Sequence, residues 1–397
     1  MEKEIYLDNA ATTRPRPEVI EAISRMLEID YGNPSSPHRL GLAAERAVKK
    51  SRRQLARAIG AKEGEISFTS GGTEANNWAL RMGSSLYSRF GKHLITSAIE
   101  HPSVLKTCQE LEGAGYSVTY LPVDKDGRIS INDLEAALQD DTILVSLMYV
   151  NNEVGSIQPV AEAGRLLERY KDKKKDGNPY PLFHVDAVQA LGKLPLDVKA
   201  LAVDLMSFSS HKLYGPKGSG ALYKRKGIPL PALLTGGEQE EELRSGTENV
   251  PGIAGFGKAV ELAVAELWDA GEKMYSLKRQ LTGKLRANLA DVQINGPRPD
   301  DGVPHIINLS FPGLKAEVLV NALSDAGIFV STRSACSTHR NNPSHVLKAL
   351  GLKGERLESA IRLSFSPFNT TEEISFVADR MTGIITQLRK IMGGGSR

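Results

Sequence analysis

Short apolar runs alternate with stretches of helical periodicity through the first part of the chain. The runs are apolar without strict alternation, as expected for strands that are buried on both faces of a sheet. Seven strands are predicted: Glu65–Thr69, His93–Ala98, Val118–Val123, Thr142–Val150, Leu182–Asp186, Leu205–Ser209 and Gly220–Tyr223. Helices are predicted between several of them: Thr73–Met82, Pro102–Gly113, Ile131–Leu138 and Val160–Lys171. This order indicates an α/β fold with a mostly parallel sheet flanked by helices.

The pattern changes after Pro251, where a long helix is predicted over Ile253–Leu289. A smaller α+β domain then follows, with predicted elements at Ile306–Phe311, Ala316–Ala326, Ile328–Ser331, Pro343–Leu350, Ala360–Ser366 and Glu372–Met392. We therefore predict a large domain over residues 16–262 and a small C-terminal domain over residues 263–397. Residues 1–15 are expected to form an N-terminal segment that packs with the small domain.

Composition and charge narrow the functional classes. The chain has 397 residues, a formal net charge of +3 and lysines and arginines spread along its length, so neither nucleic acid nor a membrane surface is expected as a partner. No apolar run approaches the ~20 residues that a transmembrane helix needs. The two cysteines, Cys108 and Cys336, are too few for a disulfide framework. We expect a cytoplasmic protein.

Polar residues follow two of the predicted strands at the edge where α/β sheets bind ligands. Lys212 comes directly after the strand that ends at Ser209, and Asp186 ends the strand before it. An amine and a carboxylate at one sheet edge suit pyridoxal 5′-phosphate (PLP), because a protonated pyridine ring is the better electron sink. Taken alone, each residue has a simpler interpretation, a surface lysine and a helix cap.

Further polar positions occur at other strand ends. The turn Ser70–Asn77 leads from a strand into a helix, so its backbone amides could bind an anion. His101 ends another strand and could stack on a flat ring, although a lone histidine is more often structural. Asn152 follows the strand Thr142–Val150. Arg362 interrupts an apolar strand with a cation that suits bidentate capture of a carboxylate, or a structural salt bridge.

The segment around Cys336 is rich in Ser, Thr and Asn, which predicts an exposed, mobile loop. A cysteine beside Arg333 and His339 has enhanced thiolate character and is a candidate nucleophile. Cys108 lies within a predicted helix and is interpreted as an inert core residue. A metal site is not expected, since no second cysteine or carboxylate pattern completes it.

Taken together, the sequence resembles the cysteine desulfurases, members of the class V aminotransferase group of fold-type I PLP-dependent enzymes. The resemblance covers nearly the whole chain. Its motifs are Tyr6–Thr13, Tyr31–Ser36, Ser70–Asn77, Val150–Gly155, His184–Gln189, Ser209–Gly218, Arg244–Thr247 and Ala360–Ser364. The resemblance implies conversion of L-cysteine to L-alanine, with a persulfide formed on Cys336 and passed to a sulfur-acceptor protein.

The resemblance also implies a role for each matching residue. Lys212 would hold PLP as a Schiff base, Asp186 would pair with the pyridine nitrogen, Gln189 would meet the ring oxygen, and His101 would stack on the ring. Four residues would hold the phosphate, namely Gly72, Thr73, Ser209 and His211.

Substrate binding and dimer formation are implied in the same way. Asn152 and Arg362 match positions near the cofactor and the substrate carboxylate, and Asn33 is a further candidate there. Thr247 would reach the phosphate in the other subunit, which implies a working homodimer. The chain departs from the family at Arg333, where small residues are usual, and after the cysteine, where it has Ser-Thr in place of Thr-Ser.

Two alternatives remain open on the sequence. One is another PLP enzyme of this fold, such as an aminotransferase or a selenocysteine lyase, because fold alone does not separate them. The other is a non-catalytic sulfur-relay partner that keeps PLP only structurally. The pathway that receives the sulfur is also open between iron–sulfur cluster assembly, tRNA thiolation and cofactor synthesis.

Overall fold

The computed structural model describes residues 4–174, 180–332 and 344–393. Its helices are α1 (Pro17–Glu28), α2 (Arg39–Ala58), α3 (Gly72–Tyr87), α4 (Pro102–Gly113), α5 (Ile131–Ala137), α6 (Val160–Lys174), α7 (Val250–Ala265), α8 (Leu267–Asn288), α9 (Ala316–Asp325), α10 (His345–Ala349), α11 (Gly354–Glu358) and α12 (Thr371–Gly393). Its strands are β1 (Ile5–Tyr6), β2 (Ile66–Thr69), β3 (His93–Ser97), β4 (Ser117–Leu121), β5 (Thr142–Met148), β6 (Leu182–Asp186), β7 (Leu205–Ser209), β8 (Gly220–Lys224), β9 (Gln293–Asn295), β10 (Ile306–Ser310), β11 (Ile328–Phe329) and β12 (Ala360–Ser364).

A seven-stranded sheet in the order β2-β8-β7-β6-β5-β3-β4 forms the centre of the larger part of the molecule. Only β8 runs antiparallel to its neighbours, so the carboxyl ends of the other six strands lie along one edge. The predicted mostly parallel α/β sheet is therefore confirmed.

Both faces of this sheet are buried, because successive side chains of one strand enter different hydrophobic cores. In β7, Leu205 packs into the core formed with α3 and α4, whereas Met206 and Phe208 pack into the core formed with α1, α2 and α7. Strands of this kind need apolar residues on both sides, which explains their unbroken apolar runs.

The smaller part of the molecule is built on the antiparallel sheet β12-β10-β9, against which α8, α9 and α12 pack. β1 pairs in parallel with β11, so the N-terminal segment lies against this part through Ile5 and Leu7. The domain limits proposed at residues 16–262 and 263–397 stay a prediction, because Val303 and Ile306 pack into the core of the larger part.

One predicted helix was wrong in extent. The helix expected over Ile253–Leu289 is two helices, α7 and α8, that meet at Glu266. Glu266 accepts a hydrogen bond from Arg16 at 2.7 Å, and the two helices have different partners: α7 packs on α1 and α2, whereas α8 packs on α12. Similarly, α6 continues to Lys174, three residues beyond its predicted end at Lys171.

Candidate active site

A cavity of about 160 Å³ lies at the carboxyl edge of the large sheet. It is lined by ten of the residues that the sequence singled out: Gly72, Thr73, His101, Asn152, Asp186, Gln189, Ser209, His211, Lys212 and Arg362. These residues come from five different strand ends and from β12, so only the fold brings them together. The predicted convergence of polar residues at this edge is therefore observed.

Lys212 lies just beyond the end of β7. A 3₁₀ turn over Ser210–Lys212 brings its side chain to the cavity. The Nζ atom donates to the carbonyl oxygen of Ala10 at 2.8 Å and to that of Ala11 at 2.5 Å. The N-terminal segment thus fixes the amine at the cavity wall.

Asp186 is the last residue of β6, which neighbours β7. Its Oδ2 atom accepts from Asn76 Nδ2 at 2.7 Å, and its Oδ1 atom accepts from the backbone N–H of Val188 at 3.0 Å. Asn76 Nδ2 also donates to Ser103 Oγ at 2.9 Å. These bonds fix the orientation of the carboxylate that borders the cavity.

His101 joins the same network at the N-terminus of α4. Its Nδ1 atom accepts from the backbone N–H of Ser103 at 3.2 Å and lies 2.8 Å from Ser103 Oγ. Because Nδ1 accepts from a backbone N–H, the proton of the neutral ring lies on Nε2. Burial is the main cause that lowers the pKa of His101, and the nearby Asp186 only partly opposes it. The imidazole is therefore neutral near pH 7.

A glycine turn between β2 and α3 lines part of the cavity. α3 begins at Gly72, and the backbone N–H groups of a first helical turn are free to bind an anion. A Cβ atom at Gly72 would lie 2.6 Å from Cγ2 of Val188, and one at Gly220 would lie 2.6 Å from Cα of Gly71. Both positions therefore need glycine for close packing around the turn.

Ser209 and His211 also line the cavity. His211 Nδ1 lies 3.1 Å from Thr12 Oγ1. Burial, with smaller contributions from Lys212 and Lys217, lowers the pKa of His211 to about 4. The ring is thus a neutral hydrogen-bonding group rather than a second cation.

Arg362 lies on β12 with 1% of its surface exposed. Its Nη1 atom donates to the carbonyl oxygen of Asn152 at 2.8 Å, and its Nη2 atom donates to Asp8 Oδ1 at 2.7 Å. Its Nε atom is buried and has no hydrogen-bond partner among the described residues. Burial raises the pKa of Asp8, while the Arg362 charge opposes that rise. The guanidinium therefore has N–H groups available for a ligand carboxylate, although the ion pair with Asp8 already partly neutralises its charge.

Two predicted residues, Asn33 and Thr247, do not line this cavity. Asn33 is exposed, and its side chain accepts from the backbone N–H of Ser35 at 3.0 Å. Thr247 lines a second cavity of about 300 Å³ beside Ser70 and Gly218. Cys336 lies outside the described residues. The roles of all three stay predictions.

Asn76, Ser103 and Asp8 were missed as site residues by the sequence reasoning. Asn76 lies three residues after Thr73 on α3, and that spacing puts both on one helix face, so a local signal existed. Asp8 gave no such signal, because it reaches Arg362 across 354 positions of sequence.

The lining of the cavity fits a phosphorylated aromatic aldehyde. An amine can bond the aldehyde, a fixed carboxylate can pair with a ring nitrogen, and a neutral imidazole can lie against the ring. The glycine turn at the start of α3 suits the phosphate. The chemistry of these donors therefore agrees with the group that the sequence implied.

Comparisons with known proteins agree with the geometry. The family described as aminotransferase class-V matches residues 5–377. The cysteine desulfurase IscS of Methanosarcina thermophila is 45% identical over 390 residues, which cover 98% of this chain and 94% of that protein.

Two solved structures are also similar. A NifS-like protein superposes with a TM-score of 0.89 at 40% identity, covering 97% of this chain and 100% of that one. A structure described as SspA in complex with cysteine has a TM-score of 0.78 at 34% identity, covering 93% and 100%. In the described parts of the chain, no helix has both the length and the apolar composition needed to cross a membrane.

Proposed function

The chain belongs to the aminotransferase class-V family, and from that membership we propose that it is a PLP-dependent cysteine desulfurase. It converts L-cysteine to L-alanine and passes the sulfur, as a persulfide on Cys336, to an acceptor protein. The observation that carries the proposal is the meeting of Lys212, Asp186, His101 and the Gly72–Thr73 turn in one cavity. Surface lysines and helix caps, the simpler interpretations, would not converge in this way.

Each residue of the cavity has a task toward PLP. Lys212 would bond the aldehyde, Asp186 would pair with the ring nitrogen, His101 would stack on the ring and Gln189 would face the ring oxygen. Four residues would hold the phosphate at the turn: Gly72, Thr73, Ser209 and His211. When bound, PLP supplies an electron sink for the negative charge that develops at the substrate Cα atom.

The chain itself positions L-cysteine and moves its protons. Arg362 binds the substrate carboxylate through donors left by Asp8 and Asn152, with Asn33 as a further candidate. The Nζ atom of Lys212 takes the proton from Cα. The Cys336 thiolate then attacks the substrate sulfur, so that the Cβ–S bond breaks as the S–S bond forms. The electron pair left on Cβ takes up a proton, and Cα regains the proton held by Lys212, which yields alanine.

We propose a homodimer as the working unit. Thr247 lies in a separate cavity of its own chain, beside Ser70 and Gly218, where it is available to a phosphate bound by a partner subunit. Exposed apolar side chains along and just after α1 supply a surface for such a partner: Ile20, Leu27, Ile29 and Tyr31. A persulfide-forming thiol also needs a reducing compartment, which favours the cytoplasm.

Turnover of L-cysteine tests the proposal. The protein loaded with PLP, incubated with L-cysteine and dithiothreitol, should release alanine and sulfide in equal amounts. Absence of turnover, with PLP bound, would instead favour the structural-PLP alternative, and faster alanine release from selenocysteine would favour a lyase.

Cys336→Ala separates PLP binding from persulfide formation and sulfur delivery. This variant should keep the visible absorbance of bound PLP and lose both the persulfide and sulfur delivery. Cys108→Ala is the matched control, because burial raises the pKa of the Cys108 thiol to about 12 and leaves it unreactive. If Cys336→Ala releases alanine at the parent rate, Cys336 is not the nucleophile. Trapping the persulfide and identifying the protein that accepts it would distinguish iron–sulfur cluster assembly from thio-cofactor synthesis or tRNA thiolation.

A further inference from the structure

Behind the cavity wall, a second histidine contacts Gln189. His305 directly precedes β10 and is 1% exposed. Its Nε2 atom lies 3.1 Å from Gln189 Oε1. Its backbone is held as well, since the N–H of Phe365 donates to the His305 carbonyl oxygen at 2.8 Å. The small sheet thus holds the His305 ring against Gln189, which follows strand β6 of the large sheet.

The hydrogen-bond pattern fixes both the Gln189 amide and the His305 tautomer. Gln189 Nε2 donates to the carbonyl oxygen of Ala10 at 2.9 Å, and a carbonyl can only accept. Gln189 Oε1 therefore faces His305, whose Nε2 must carry the proton and donate it. His305 Nδ1 is then an acceptor, and it has no partner among the described residues.

The surroundings keep His305 neutral. Burial is the main cause that lowers its pKa well below the usual value. Four cations act in the same direction: Lys193, Lys278, Arg362 and Lys212. A neutral imidazole has a single N–H, so the bond to Gln189 uses the only donor that the ring has.

Gln189 lines the cavity, and its Nε2 atom carries two hydrogens. One is donated to the Ala10 carbonyl, and the second has no acceptor in the described part of the chain. The same Ala10 carbonyl accepts from Lys212 Nζ at 2.8 Å, so the orientation of Gln189 is linked to that of the lysine.

We infer that His305 is a positioning residue, which locks the Gln189 carboxamide so that an N–H faces the cavity. This inference rests on the proposed function, in which the ring oxygen of PLP lies opposite Gln189. Without the His305 donor, Gln189 Oε1 would be buried without a partner, which is costly, and only the bond to the Ala10 carbonyl would still hold the amide. Any rotation that gives Oε1 a new donor would weaken the N–H donor to the ring oxygen.

Loss of that donor has a spectroscopic consequence. A hydrogen bond to an anionic oxygen stabilises the deprotonated form, so its loss makes the proton harder to remove. The pH midpoint of the visible absorbance change of lysine-bound PLP should therefore rise by about 0.5–1 unit. The affinity for PLP should fall by roughly threefold to tenfold, because one hydrogen bond is missing.

Two nearly isosteric variants test the inference in the PLP-loaded enzyme. His305→Met keeps the length of the side chain without a donor, and His305→Gln keeps both the length and an N–H donor. We expect the raised midpoint and the weaker PLP binding in the Met variant, with parent values restored in the Gln variant. Equal midpoints in the Met and Gln variants would overturn the positioning role.

A third measurement uses only the parent protein, so it does not depend on whether a variant folds. In the parent protein with ¹⁵N-labelled histidine, the His305 ring should show a protonated Nε2 and an unprotonated Nδ1 at neutral pH. The opposite tautomer would overturn the inference. A parent protein without any PLP band would refute the proposed function, whereas a normal parent band with indistinguishable variants refutes only the role of His305.

Discussion

Glu100 offers a pH-dependent test of the packing behind the site. Its carboxyl group is fully buried, and its Oε1 atom accepts from Ser97 Oγ at 2.6 Å and from the backbone N–H of Met148 at 2.9 Å. Its Oε2 atom has no hydrogen-bond partner among the described residues. Burial is the main cause that raises the pKa of Glu100 to about 8, and the nearby Asp186 adds to it.

The sign of the effect follows from the raised pKa. An unfolded glutamate titrates near 4.3, so between that pH and about 8 the folded chain holds a proton that the unfolded chain has lost. The protonated Glu100 therefore favours folding most at low pH, and this contribution is lost as the pH rises toward 8. At 1.36 kcal/mol per pKa unit, the loss amounts to about 3–5 kcal/mol.

Glu100→Gln isolates this contribution. The amide oxygen can accept both existing hydrogen bonds and does not ionise, so the variant should gain stability relative to the parent as the pH rises. Urea unfolding of both proteins from pH 5 to pH 8.5 measures the difference in the free energy of unfolding. We expect that difference to grow by about 3–5 kcal/mol in favour of Gln. A difference that stays constant with pH would refute the assignment of a neutral buried carboxyl group.

Three further changes probe the site. Asp8→Asn removes the anion that partly neutralises Arg362. The KM for L-cysteine, measured in steady-state assays, should therefore fall by roughly twofold to fivefold with little change in kcat. An unchanged or higher KM would show that Asp8 does not weaken binding of the substrate carboxylate. Gly72→Ala should lower the free energy of unfolding by about 1–3 kcal/mol through the clash with Val188, and Val188→Ala in the same chain should restore thermal stability. Asn76→Ala should weaken PLP binding by roughly tenfold in fluorescence titrations of the apoprotein, because the carboxylate beside the ring loses a donor; unchanged affinity would show that the Asn76 bond is dispensable.

The strand ends were predictable because local sequence determines them. The strands ending at Asp186 and Ser209 have the predicted limits, since apolar runs bounded by polar turns are a short-range signal. The cavity followed from that, because the carboxyl ends of parallel strands share one edge.

The supporting contacts were not predictable in the same way. The break between α7 and α8 at Glu266 has no glycine or proline to mark it, and it coincides with an ion pair to Arg16. The bond between His305 and Gln189 joins residues 116 positions apart. Contacts of this kind depend on how the two parts of the molecule pack, which no periodicity within one element encodes.

The central claim is that Lys212 holds PLP in this cavity, and chemical fixation of the bond tests it most directly. Borohydride reduction of the PLP-loaded protein, followed by peptide mass spectrometry, identifies the lysine that carries the cofactor. Lys193 and Lys278, which are buried, are competitors, because burial lowers the pKa of Lys193 to about 8 and that of Lys278 to about 7 and leaves their amines partly neutral. We expect the reduced pyridoxyl group on Lys212 alone, and Lys212→Ala should lose it together with the visible band. A label on Lys193 or Lys278, or no label in a protein that retains PLP, would show that Lys212 does not hold the cofactor.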